Sequence, residues 1–200
     1  MSGFISQNFM KTTSPLNSFL LETQGYYAGI MLDDPSAQQW IVTGMIGNSV
    51  MQAMWAGLPI TETNPGLETG ANIGGSVVSP ATSNSAITGF MIANQEYNGV
   101  ISNSNNVPMF SSGMSISFVR LRSNARVVVP VDPGTAPALV GLPINSQISW
   151  DFTNNALTTY NSTTGALPAL LLELNSNSRI PILSNGYATW GDGTVAVIQI

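Results

Sequence analysis

The sequence predicts an all-β protein: an antiparallel β-sandwich or barrel-like body over residues 26–200, preceded by a short N-terminal arm over residues 1–25. Three observations predict it. Short apolar runs alternate with Gly, Pro, Asn and Ser clusters at roughly 8–15-residue spacing, the punctuation of strands and turns. Charged residues are only 8% of the chain, against about 25% in ordinary soluble domains. Ser, Thr and Asn instead supply 59 of the 200 residues, so neutral polar groups wet the surface. The chain is also 44% apolar, enough to bury a sizeable core and unlike a disordered composition.

The arm comes first. Ser14-Pro15 is a helix-start signal. Leu16, Phe19 and Leu20 follow at i, i+3 and i+4, and Gly25 suits a stop, which predicts one short helix near residues 15–23. Phe4, Ile5, Phe9 and Met10 precede it in a loose stretch. A segment this small cannot bury an apolar stripe on itself. It lies on its own domain or on a neighbouring chain, which makes Phe4, Phe9, Met10, Phe19 and Leu20 candidate interface residues.

Strands are expected near Tyr26–Leu32, Trp40–Ile46, Leu58–Thr63, Ser76–Val78, Ile87–Ala93, Met114–Leu121, Arg126–Val131, Gln147–Phe152, Ala169–Leu174, Arg179–Leu183 and Val195–Ile200. Val50–Trp55 reads either as a strand or as a short helix capped by Ser49 and ended by Gly57. Pro130 inside Val-Val-Val-Pro-Val marks an edge or a bend, because it lacks the N–H a ladder needs. Trp190-Gly-Asp-Gly-Thr194 predicts the turn of a terminal hairpin, and Asp132-Pro-Gly134 a turn of similar kind. Asn103–Asn106 and Asn175–Ser178 read as loop tips. The Gly-, Pro- and Ser-rich stretch 63–85 is a long loop or a seam between two lobes. One echo stands out: Ala56-Gly-Leu-Pro-Ile60 recurs as Val140-Gly-Leu-Pro-Ile144.

The chemistry available is narrow. With no His and no Cys there is no imidazole base, no His-ligated metal, no disulfide and no thiolate site. Five basic against ten acidic residues argue against a nucleic-acid footprint. The longest apolar run, Ala166–Leu172 with Pro168 inside, is far short of a membrane span, and the first residues lack the pattern of a secretory signal. Two of the ten carboxylates would suffice for glycoside hydrolysis, but Asp34, Asp132 and Asp192 have turn roles in sight. Neither a serine with an activating base nor a Gly-x-Ser-x-Gly elbow occurs. No catalytic, cofactor or metal residue is therefore assigned.

Arg120 and Arg122 lie two apart in an expected strand and so share a face. They are solvated, bridged within their own chain, or an interface pair for a partner's acidic patch, for which guanidinium is well suited. Trp40, Trp55, Trp150 and Trp190 all fall at or beside expected strands.

The order of strands and turns from Gly113 through Arg120, Arg122 and the Val127–Val131 run has a parallel. It continues with Val140-Gly-Leu-Pro-Ile144, Ile148-Ser-Trp-Asp-Phe-Thr-Asn-Asn-Ala-Leu157 and Val195–Ile200, and Ile87–Ile92 fits ahead of it. Over roughly residues 26–200 this resembles the structural cement, or head decoration, proteins of tailed bacteriophages. The resemblance implies a sandwich or barrel-like fold, no active site and no cofactor. It also implies a place on the outer surface of the capsid, the major capsid protein as partner, and a homo-oligomer, with a trimer favoured over a dimer. The expected function is a virion structural protein that bridges capsid subunits. The alternative is a receptor- or carbohydrate-binding β module of a phage tail or cell surface.

Overall fold

A computed structural model of the chain describes residues 11–13, 23–32, 41–63, 75–93, 107–184 and 187–200. The fold is all-β. A barrel of five strands closes in the order β3-β5-β4-β6-β7. Its members are β3 (Ile41–Ile46), β4 (Pro59–Thr63), β5 (Ser76–Pro80), β6 (Gly89–Ile92) and β7 (Ser115–Arg120). The β3–β5 pair is parallel and the other four pairs are antiparallel. Beside the barrel stands a three-stranded sheet, β11-β12-β8, with β8 at Arg126–Pro130, β11 at Leu170–Ser184 and β12 at Tyr187–Gln199. Two small pairs complete the described fold: β9 (Ile148–Asp151) with β10 (Ala156–Thr159), and β1 (Lys11–Thr13) with β2 (Thr23–Tyr26). Among the described residues one short α-helix, α1, covers Ala136–Leu139.

The period-2 alternation of strand side chains explains how barrel and sheet share one interior. Along β6 and β7, Met91, Ile116 and Phe118 fall inside the barrel core with Ile46, Ile60 and Val78. Their neighbours Phe90, Ile92 and Val119 fall in a second core with Val127, Val129, Ala196 and Ile198. All four residues of β6 are therefore buried. β8 is buried on both faces as well, because Val128 joins Val195 and Val197 in a third cluster capped by Ala28 and Ile30. A strand covered on both sides reads as an unbroken apolar run rather than an alternating one, which accounts for Val127-Val-Val129.

The segment 28–32 flanks β8 on the side away from β12. Val128 N–H donates to Ile30 O (2.9 Å), and Leu32 N–H donates to Arg126 O (2.9 Å). On the other side, Val131 N–H donates to Thr194 O (2.9 Å). Alternation puts the missing N–H of Pro130 on the 28–32 side, beyond the last pairing made by Gly29, so no ladder bond is lost.

Several sequence expectations are corrected. Thr23, the last residue of the expected helix, stands in β2, while 15–22 lie outside the described residues. So do Phe4, Phe9, Met10, Phe19, Leu20 and Trp40. The described part of the arm pairs with its own chain: β1 runs antiparallel to β2, and Tyr26 N–H donates to Ser178 Oγ (3.0 Å). Val50–Trp55 is neither helix nor strand; only Met54 bridges, to Phe110.

The expected tips at 175–178 and 190–194 do not exist. β11 runs through the first with a register shift between Asn175 and Ser178, and β12 runs through the second. Gly191 and Gly193 sit in β12 because a Cβ there would meet Ile182 Cδ1 at 2.1 Å and Ile180 Cδ1 at 2.4 Å. These glycines make room for isoleucines rather than a turn. Within the stretch 63–85, Ser76–Pro80 is a barrel strand and 64–74 lie outside the described residues. The chain passes from barrel to sheet at the 121–125 turn.

The four-letter echo, Gly-Leu-Pro-Ile, is a shared turn. Leu58 N–H donates to Trp55 O and Leu142 N–H to Leu139 O, both at 3.4 Å. Gly57 and Gly141 both have positive φ, +94° and +79°. Val140 at φ −67°, ψ 128° completes a type II turn, whose third position requires Gly or Asn. The first copy then enters β4, whereas the second passes into another turn, with Ser146 N–H donating to Pro143 O (2.9 Å).

Candidate interaction surface

Arg120 and Arg122, expected on one strand face, are separated by the fold. Arg120 ends β7 and makes a two-pronged ion pair with Glu62 of β4: Nε to Oε2 at 2.7 Å and Nη2 to Oε1 at 2.6 Å. Ser76 Oγ also donates to Glu62 Oε1. The Arg120 hydrogen bonds hold the Glu62 carboxyl below its ordinary range, against a smaller upward push from burial. Arg120 is bridged within its own chain.

Arg122 is different. It lies past the strand end in the turn to β8, with φ +68°. It is exposed and forms no ion pair among the described residues. It lines a cleft of about 350 Å³ together with the polar residues Asn124, Asn145, Ser146, Gln147 and Gln199. The apolar part of the lining is Leu167, Pro168, Ala169, Leu170 and Ile200. No carboxylate side chain lines it.

The loop that supplies Asn145 and Gln147 begins with bare apolar groups. Leu139 anchors it at 1% exposure, whereas Val140, Leu142 and Ile144 are 70%, 38% and 55% exposed. The matching Leu58 and Ile60 of the first copy are buried. The same letters thus give a core turn at one place and an apolar surface at the other. Sequence reasoning missed this surface, since the echo of Ala56–Ile60 at Val140–Ile144 carries no sign of which copy packing buries.

The described carboxylates outside Glu62 have structural partners. Asp132 Oδ1 accepts Gly134 N–H (3.4 Å), and Asp151 Oδ1 accepts Thr153 N–H (2.8 Å). Asp192 pairs with Arg179 across the β11–β12 ladder at 2.9 Å. Glu173 accepts the Tyr26 hydroxyl at 3.4 Å; burial, then the Glu173 charge, raises the pKa of that phenol. No group of three acidic side chains suited to a metal ion occurs among the described residues. The three described tryptophans, Trp55, Trp150 and Trp190, are buried.

Compared with family models, curated proteins and solved structures, the chain matches none.

Proposed function

We propose that this chain is a virion structural protein, a capsid cement or decoration protein. On this reading it binds the outside of a phage head and bridges neighbouring major capsid protein subunits without catalytic turnover. It acts as a homo-oligomer, with a trimer favoured over a dimer. The observation that carries the reading is the exposed apolar loop Val140, Leu142 and Ile144, held on a turn anchored by buried Leu139. Three exposed apolar side chains within five residues, carried on one anchored loop, suit contact with another protein.

The rest of the surface suits adhesion. A Ser-, Thr- and Asn-rich exterior makes hydrogen bonds across an interface with little charge to desolvate. Weak contacts made by each protomer multiply through oligomerisation and through the array of sites on a shell. The rival reading as a glycan-binding module draws no support from the described tryptophans, which are buried rather than presented for stacking on sugars.

The test is co-sedimentation of the purified chain with heads that lack it, together with native mass measurement. Uptake at a fixed ratio to the major capsid protein, by a dimer or trimer, is expected. A monomer that never attaches to heads, or one that instead binds a glycan array, overturns the proposal.

A further inference from the structure

We infer that the Arg122 cleft holds an extended, acid-bearing segment of the partner polypeptide, with a carboxylate on the guanidinium and the peptide backbone on the surrounding amides. The inference rests on the adhesive reading above and adds the chemistry of what is gripped.

Charge is the first reason. The chain carries a formal net charge of −5, yet this cleft presents a guanidinium and no acidic side chain. A guanidinium without an ion-pair partner is matched by a carboxylate, which it binds through two parallel hydrogen bonds. One guanidinium, with no second cation in the lining, suits a singly charged carboxylate better than a doubly charged phosphate.

Backbone strain is the second reason. Arg122 at φ +68° and Asn124 at φ +61° both occupy the left-handed region. Asn tolerates that region, and Gly adopts it at no steric cost; Arg has no local reason to be there. A strained backbone at a site is grounds for inferring a use for the side chain it carries.

The amides are the third reason. Asn124, Asn145, Gln147 and Gln199 come from three separate segments: the turn after β7, the loop before β9 and the end of β12. Each offers a donor and an acceptor, and none of these side chains is bonded among the described residues. Such groups match the alternating N–H and C=O of an extended peptide. Leu167, Leu170 and Ile200 give its side chains an apolar floor.

The experiment titrates the full chain, followed by the NMR signals of the Arg122 Nε–H and the four side-chain amides. The probes are the peptide acetyl-Ser-Ala-Asp-Ala-Ser-amide and its Asp→Asn counterpart. Saturable shifts at those groups are expected, with the acidic peptide bound about fivefold or more tightly. Arg122→Gly should keep or raise the melting temperature, because it relieves the backbone, and should abolish the preference for acid. Arg122→Lys should retain part of it. Equal binding of both peptides, a preference that survives Arg122→Gly, or shifts confined to other surfaces overturns the inference. So does inorganic phosphate displacing the peptide at a lower concentration than the peptide itself requires, or self-association of the chain through this cleft.

Head binding separates the two claims. If heads take up the wild-type and Arg122→Gly chains alike, the cleft inference falls and the adhesive reading stands. If heads take up neither but the peptide preference holds, the adhesive reading falls alone.

Discussion

Gly29 passes so close to Ala56 that a Cβ on Gly29 would stand 2.3 Å from the Ala56 Cβ. Two segments cross there backbone to backbone. Gly29 N–H donates to Val128 O at 2.6 Å, its carbonyl accepts Ala93 N–H at 2.7 Å, and Gly57 N–H donates to Met91 O at 2.8 Å. The crossing ties β8 of the sheet to the end of β6 in the barrel.

Gly29→Ala should therefore cost about 3 kcal/mol or more, because φ at +88° and backbone atoms within 2.7 Å leave no room to yield. Gly191→Ala provides the contrast. Its Cβ would meet Ile182 Cδ1 at 2.1 Å and Cγ1 at 2.9 Å, both on a side chain 46% exposed that can turn away, rather than backbone. Its cost should stay within about 1 kcal/mol. Urea titrations of both variants check the difference.

Asn84 is buried in the short 3₁₀ turn Asn84–Ala86. Its Oδ1 accepts Trp150 N–H (3.0 Å) and its Nδ2 donates to Thr164 O (3.1 Å), so it pins the β9 strand and the 161–165 loop to the barrel. Asn84→Ala should cost about 2–3 kcal/mol, because it strands a buried N–H and a carbonyl. Asn84→Asp should be worse near neutral pH, where a buried carboxylate faces a carbonyl. A buried acid has a raised folded pKa, so its stability should recover as the pH is lowered. Thermal melts at two pH values test the sign.

The Glu62–Arg120 pair predicts acid sensitivity. The folded Glu62 pKa is lowered by the Arg120 hydrogen bonds. Its contribution is complete above the ordinary carboxylate pKa and is lost as pH falls through the lowered folded value. Arg120 is half exposed, so solvent screening limits the pair to roughly 1 kcal/mol. Glu62→Gln should cost about that at neutral pH and nearly nothing in acid. Parallel stability–pH curves for wild type and variant that never converge in acid would contradict it.

The two copies of Gly-Leu-Pro-Ile predict opposite outcomes for the same change. Leu142→Ser with Ile144→Ser should leave stability within about 0.5 kcal/mol per site and weaken head binding. Leu58→Ser or Ile60→Ser, at core positions, should cost about 3 kcal/mol or more. Stability is read by denaturant titration and binding by co-sedimentation.

Strand positions were legible where an apolar run met its own turn residues. Ile41–Ile46, Pro59–Thr63 and Arg126–Pro130 fall within a residue or so of where alternation and punctuation put them. The long β11–β12 hairpin was not legible. Asn, Ser and Gly in its strands look like turn residues, and only the facing side chains reveal a register shift at Asn175–Ser178 and room for Ile180 and Ile182. In the cleft, Arg122 was singled out by its residue type, but for a strand face it does not occupy. Asn124, Asn145, Gln147 and Gln199 gave no signal, because a chain with 19 asparagines and 8 glutamines hides two of each among many.

The sequence by itself determined the all-β class, the neutral polar surface, the lack of imidazole and thiol chemistry, and the local turns. Each of these depends on residue type or on neighbours a few positions apart. Only the tertiary structure decided that five strands close into a barrel sharing its walls with a sheet. It alone separated Arg120 from Arg122, and buried one copy of a four-residue motif while leaving the other bare. Those outcomes depend on which distant segments come to lie against each residue, and burial is a property of that packing rather than of the letters.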